Sequence, residues 1–209
     1  MTGRFISIEG GDGVGKSTQI EILKKTVEKL GFTVVLTREP GGTTGAEDVR
    51  NLLLSGSEDK WGRRAEALLF AAARSDHVEK KIRPALKRGD WVISDRYVDS
   101  SRAYQSGKAG LSDADILALH KIGSENLLPD VTIVLELTDN DGVERALSRD
   151  AGTQDRIGGR TADYHMQVRD AFRAMASSDP ERVKLVDASG SIEDVSARIN
   201  LALADLLEA

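Results

Sequence analysis

Residues 10–17 read GGDGVGKS and fit the pattern G-x-x-x-x-G-K-[ST]. Such a pattern can wrap several backbone N–H groups around a phosphate. Side chains would block the approach, so Gly10, Gly11, Gly13 and Gly15 supply room and unusual dihedrals, with Asp12 and Val14 between them. A helical pattern begins at once, and its positive dipole end adds to the attraction for an anion. Lys16 has the reach for β- and γ-phosphates, and the Ser17 hydroxyl suits Mg²⁺. The expected triphosphate-binding set is therefore Gly10 to Thr18. The apolar run Phe5-Ile6-Ser7-Ile8 before the loop and the helical run after it supply the context the motif needs.

Other groups have types and places that suit the same chemistry. The run Trp91-Val92-Ile93-Ser94 leads into Asp95-Arg96-Tyr97. An acid at the carboxyl end of a strand can hold Mg²⁺ directly or through water, and Arg96 can contact a phosphate. The plainer alternatives are a helix cap and a surface ion pair. The run Thr33–Leu36 leads into Thr37-Arg38-Glu39-Pro40-Gly41-Gly42, where Pro and Gly force a tight turn and Arg38 offers a planar fork, although taken alone the segment reads better as an ordinary strand-to-helix turn. Phe70 and Arg74 are four apart, so a ring and a guanidinium share one helix face. They could suit a nucleobase, but as an isolated pair they read more readily as a core residue and a solvated ion-pair partner. His77 has no cluster of partners in sequence and reads as structural or surface-exposed. Asp99 to Gln105, with Ser101, Tyr104 and Gln105, could line a sugar or base pocket, although Tyr104 could equally be core. Arg149, Arg156 and Arg160 fall in RDAGTQDRIGGRT, a polar stretch with nothing obvious to bury. It reads as a mobile loop, with Gly152, Gly158 and Gly159 allowing it to close. Arginines closing over a phosphoryl group in transfer would stabilise its charge.

These groups need a scaffold, and strand-like runs alternate with helical ones. Strands are expected at Phe5–Ile8, Thr33–Leu36, Trp91–Ile93, Val131–Leu137 and Val183–Val186. Helices are expected at Ser17–Leu30, Gly45–Leu54, Gly62–Lys87, Asp113–Asn126, Asn140–Arg149, Asp163–Ala176 and Ile192–Leu207. The alternation predicts an α/β fold, a five-stranded parallel sheet covered on both faces, in a single domain with a lid near 149–161. The 209 residues suffice for one well-cored domain. A net charge of −5 leaves no broad basic surface for nucleic acid. With no cysteine there are no disulfides or thiolate metal sites, which suits a reducing compartment. No leader and no apolar run of about 20 residues is visible, so the expected place is the cytoplasm, away from membranes.

In this order, FISIEGGDGVGKSTQ, REPGGT, EALLFAAARSDH, SDRYVDSSRAYQ, DRIGGR and VDASGSIEDV resemble the motifs of bacterial thymidylate kinases over nearly the whole chain. The resemblance implies a P-loop nucleoside-monophosphate kinase that phosphorylates dTMP with ATP and Mg²⁺, as a homodimer. It implies that Arg38 and Arg96 hold the dTMP phosphate and that Asp12 approaches the 3′-hydroxyl. Phe70 would stack on thymine, Arg74 would bond its edge, and Ser101 and Gln105 would line the pocket. Tyr104 would crowd the 2′ position. Ser17 and Asp95 would serve Mg²⁺. Lys16, Arg96, Arg156 and Arg160 would be catalytic, and Arg149, Ala188 and Ser189 would face adenine. The Glu39–Pro40 bond would be cis. Family members place a catalytic arginine in the phosphate loop or in the lid. With Gly13-Val14 in its loop, this chain resembles the lid type. It departs from the common pattern at Gly158, where an acid is frequent after D-R-I, and at Ala73, where A-A-D-R is frequent. A kinase for another nucleotide or a nucleoside is the nearest alternative. A GTP switch would want an N-K-x-D run, and none occurs.

Overall fold

The computed structural model describes residues 3–107, 111–137 and 156–208. Five parallel strands form one sheet: β1 (Phe5–Gly10), β2 (Val34–Arg38), β3 (Trp91–Asp95), β4 (Val131–Glu136) and β5 (Val183–Asp187). Their order is β2-β3-β1-β4-β5. The helices are α1 (Lys16–Lys29), α2 (Thr44–Leu54), α3 (Arg63–His77), α4 (Arg83–Arg88), α5 (Val98–Tyr104), α6 (Asp113–Ser124), α7 (Ala162–Ser178), α8 (Ile192–Ala202) and α9 (Ala204–Leu207).

Every residue of β1 is buried, as a central parallel strand requires. One face of the sheet packs Ile6, Ile8, Ile133 and Leu135 against Leu23 and Val27 of α1 and Ile199 of α8. The other face joins Phe5 and Val92 to Val78, Ile82 and Tyr97. A further cluster sets Tyr104 and Val134 against Tyr164, Val168 and Phe172 of α7.

Apart from β4, the strands run further toward their carboxyl ends than their apolar runs suggest, and the extensions of β1, β2 and β3 carry Glu9, Arg38 and Asp95. Register places Ile8 beside Asp95, and Asp95 beside Arg38. Gly10 ends β1 with φ +127°, and a Cβ there would come within 2.3 Å of the Leu135 carbonyl oxygen. No side chain fits, so the neighbouring strand by itself requires a glycine at the start of the loop.

Three expectations are corrected. The single helix over Gly62–Lys87 is interrupted by a π turn at Val78–Ile82. It lies just before Pro84, whose missing N–H and bulky ring disfavour a regular turn there. The helix over Ile192–Leu207 breaks at Leu203. Val98–Tyr104, read only as a source of pocket residues, is the short helix α5. The helix expected at Asn140–Arg149 lies outside the described residues.

Candidate active site

The carboxyl ends of β1, β2 and β3 open onto a cleft of about 480 Å³. Its walls include Asp12, Gly13, Gly15, Lys16, Ser17 and Thr18 from the loop and α1, Arg38 from β2, and Asp95 and Arg96 from β3. Phe70 and Arg74 come from α3, and Ser101, Tyr104 and Gln105 from α5 and its end. The expected acceptor residues are therefore gathered in one place.

The loop ends at Gly15, which caps α1 with φ +97° and no side-chain hydrogen bond. The first N–H groups of the helix are thus left to an incoming anion. Lys16 donates from Nζ to the carbonyls of Gly11 at 2.7 Å and Gly10 at 3.3 Å. Burial first, and Arg96 second, push its pKa down to about 8. Nearby charge of opposite sign would reverse that penalty.

Arg96 is the hub of the floor. It adopts φ +68°, a conformation uncommon outside glycine. Its Nη1 donates to the Gly10 carbonyl at 2.9 Å and to the Tyr104 hydroxyl at 3.2 Å, and its Nη2 to Asp12 Oδ1 at 2.6 Å. Burial opposes its charge, yet Tyr104, Asp12, Glu9 and Asp95 surround it and hold its pKa above the usual arginine value. Asp12, also subject to burial, is kept below the usual carboxylate range by Arg96 and Lys16.

Beneath Arg96 lies a carboxylate that sequence reading did not single out. Glu9 accepts from the Tyr97 amide at 2.7 Å and the Ser100 hydroxyl at 2.5 Å. Burial, followed by the Asp99 charge, pushes its pKa up to about 8. An acid in an otherwise apolar strand, just before the glycine loop, was the available signal.

At the α3 end of the cleft, Arg74 is buried and donates from Nε to Glu39 at 2.7 Å and from Nη2 to Ser101 at 2.7 Å. Glu39 also meets Nδ1 of His77 at 3.1 Å, and the opposite ring nitrogen meets Thr37 at 2.6 Å. His77 is thus structural and wholly buried, not a surface group. Phe70 lines the cleft one helical turn before Arg74. Tyr104 serves both readings considered for it: it packs in the core cluster and presents its hydroxyl to the cleft. The Glu39–Pro40 peptide is cis, as expected.

The described part of the lid differs from a solvated loop. Arg156 and Ile157 are buried. Arg156 donates from Nε to the Leu53 carbonyl at 2.7 Å and from Nη2 to Glu66 at 2.5 Å. Arg160 donates to the same Glu66 oxygen at 2.7 Å and to the Tyr164 hydroxyl at 2.8 Å. The reading that this stretch has nothing to bury fails because a buried carboxylate on α3 can take both guanidinium groups, which no spacing in sequence discloses. Arg160 faces a second, more apolar cavity of about 360 Å³ that Gly10, Gly11, Val14 and α7 share. Ala188 and Ser189 stand at the end of β5, outside the walls of both cavities. Arg149 lies outside the described residues.

Asp95 offers the best fit to a cation. Its Oδ1 is buried and accepts no hydrogen bond, while the Ser17 hydroxyl lines the same cleft. No group of three or more His, Asp or Glu gathers among the described residues. Few protein ligands is the usual arrangement where Mg²⁺ arrives with a nucleotide triphosphate.

A parallel sheet, a glycine loop opening a helix, and strand-end arginines facing a base-sized pocket define a P-loop phosphotransferase acting on a nucleotide. Comparison narrows the class. The family model described as Thymidylate kinase matches residues 8–199. The chain is 50% identical over 207 residues to a thymidylate kinase of Rhizorhabdus wittichii, covering 99% of this chain and 100% of the relative. It is 47% identical to one from Rhodopseudomonas palustris, covering 95% and 87%. The solved thymidylate kinase of Ehrlichia chaffeensis superposes with a TM-score of 0.75 at 30% identity, covering 97% of this chain and 99% of that one. The chain belongs to the thymidylate kinase family.

Proposed function

We infer that the protein transfers the γ-phosphoryl group of ATP to dTMP, with the acceptor bound against Arg38, Arg96, Phe70, Arg74 and Gln105. A phosphate oxygen of dTMP forms a bond to the γ-phosphorus, the bond to the β–γ bridging oxygen breaks, and ADP leaves. The observation that carries this reading is the single cleft that runs from the phosphate loop, past Arg96, to the Phe70–Arg74 pair.

Each role follows from chemistry at that place. The loop amides and Lys16 hold the β- and γ-phosphates. Arg38 and Arg96 bring positive charge to the acceptor phosphate, which must approach another anion. Asp12, exposed and fixed by Arg96, is free to accept from the sugar 3′-hydroxyl. Phe70 offers a stacking face, and Arg74 offers donors to a carbonyl edge. The Tyr104 ring limits room beside the sugar and favours a deoxyribose. Asp95 and Ser17 would hold Mg²⁺. When bound with ATP, that ion neutralises charge on the β- and γ-phosphates. Arg156 and Arg160 are the lid cations for the transition state, once released from Glu66. Ala188, Ser189 and Arg149 remain the adenine-side set.

Exposed Leu68 on α3 and Ile122 on α6 are large apolar groups on helices that pack together, and they support a homodimer through this side. Among the described residues no helix is long and apolar enough to cross a membrane. A cytoplasmic setting for a nucleotide kinase fits the absence of cysteine.

The test is ADP release with dTMP, dUMP, dCMP, dGMP and dAMP supplied in turn. The expected order is dTMP first and dUMP second. A preference for a purine monophosphate would refute the assignment.

A further inference from the structure

Glu66, in the first turn of α3, is 1% exposed yet touches three groups that sequence reading placed in two different functions. Its Oε2 accepts from Arg156 at 2.5 Å and from Arg160 at 2.7 Å, both from the lid. Its Oε1 accepts from Nε2 of Gln105 at 3.1 Å, in the base pocket. We propose that Glu66 is a positioning residue that couples the lid arginines to base selection, by fixing which end of the Gln105 amide faces the cleft. The inference rests on the reading of this cleft as a dTMP site.

An ionised carboxylate only accepts hydrogen bonds. Gln105 must therefore turn its NH₂ toward Glu66, which leaves its carbonyl oxygen for the cleft that the residue lines. Among the described residues, no donor meets that oxygen. The amide would otherwise be a two-way choice, because its ends are alike in shape and opposite in polarity. The lid arginines decide it. Burial raises the pKa of Glu66, but the bonds from Arg156 and Arg160 outweigh burial and leave it below the usual glutamate value. A neutral partner at position 66 can donate as well as accept, so it would tolerate a flipped Gln105.

The outward carbonyl suits a pyrimidine that presents an N–H at N3, as thymine does. Cytosine presents a bare N3 acceptor there and is repelled. A flipped amide would present NH₂ and reverse the preference. Glu66 thus acts on the choice between keto and amino pyrimidines without touching either, and a lid residue reaches the base through it.

The experiment measures dTMP and dCMP binding by calorimetry without ATP, on wild type, Glu66→Gln, Gln105→Ala and the double variant. Thermal melts accompany each. Glu66→Gln should narrow the dTMP-to-dCMP affinity ratio by about tenfold. In the Gln105→Ala background the same change should alter dTMP affinity less than about twofold, since coupled residues are not additive. A ratio left unchanged by Glu66→Gln, or effects that multiply independently, would overturn the proposal. Should Glu66→Gln fail to fold, Arg160→Met and the N3-methyl analogue of dTMP replace it. Wild type should bind the analogue at least about tenfold more weakly than dTMP, and Arg160→Met should shrink that gap; an undiminished gap refutes the coupling. Wild-type turnover of dTMP is the control that separates failure of this inference from failure of the cleft's assignment.

Discussion

Arg74 and Arg38, proposed for opposite ends of the same acceptor, line one cleft and are held in opposite ways. Arg74 is buried, with donors committed to Glu39 and Ser101, and its guanidinium lies 5.4 Å from the Tyr97 ring centre. Its partner Glu39 is itself locked by His77 and, through that ring, by Thr37. Arg38 is 55% exposed and, among the described residues, pairs only with Glu47 on α2, at 3.1 Å. The end proposed for the base is held by protein contacts alone. The phosphate end keeps a cation in water, ready to exchange one carboxylate for another anion. Selectivity needs fixed donors whose misplacement would be costly. Charge neutralisation works over longer distances and tolerates a loose tether.

Arg96 combines both habits, half-buried and bonded to exposed Asp12, and its loss should have the largest effect. Arg96→Ala should lower kcat/KM for dTMP by about 10³-fold, because it removes a charge stabiliser from a partly dry site. Steady-state kinetics with dTMP varied at saturating ATP measures this. A fall below tenfold would mean that Arg38 can substitute, and the two would then not be specialised.

Arg74→Ala should raise KM for dTMP by about 10²-fold and also destabilise the protein by about 3–5 kcal/mol, since Glu39 is left buried beside a vacated partner. Denaturant melts report the second effect. Arg38→Ala should raise KM by only about tenfold, with stability changed by less than about 1 kcal/mol, the worth of an exposed ion pair. Equal losses of stability in these two variants would erase the distinction between a built end and an assembled one.

Glu9 gives an effect of a different kind, in pH dependence. Its pKa of about 8 in the folded protein compares with about 4.3 in an unfolded chain. Between those values the folded state holds a proton that unfolding releases, so stability falls as pH rises. Glu9→Gln should flatten that slope between about pH 5 and pH 8 in thermal melts. An unchanged slope would show that Glu9 is ionised in the folded protein at neutral pH.

The sheet and loop were legible because they obey local rules: short apolar runs, glycines before a lysine, and a helix after. Phe70 and Arg74 were legible as a pair because helix geometry puts i and i+4 on one face. Helix α5 was not, since the residues it buries include Asp99 and Ser101 and an apolar stripe is what sequence reading looks for. The π turn escaped for a similar reason, because the periodicity around it continues on both sides. Three glutamates were missed outright. Glu9, Glu39 and Glu66 each accept hydrogen bonds from arginines or amides distant in sequence. Nothing at positions i±3 or i±4 announces such a role.

The register of the sheet supplies the active site with a ruler. Arg38 and Asp95 are ladder neighbours across β2 and β3, so their backbones are one strand spacing apart, about 4.8 Å in any sheet. One carries the cation assigned to the acceptor phosphate, and the other the acid assigned to the metal. The gap between the phosphates that must react is thereby scaled to a dimension set by backbone hydrogen bonds, not by side-chain packing. Point substitutions in the core would leave that measure intact. A single-residue insertion in β2 would slide one mark along the scale by about 3.3 Å, close to the length of the reaction itself.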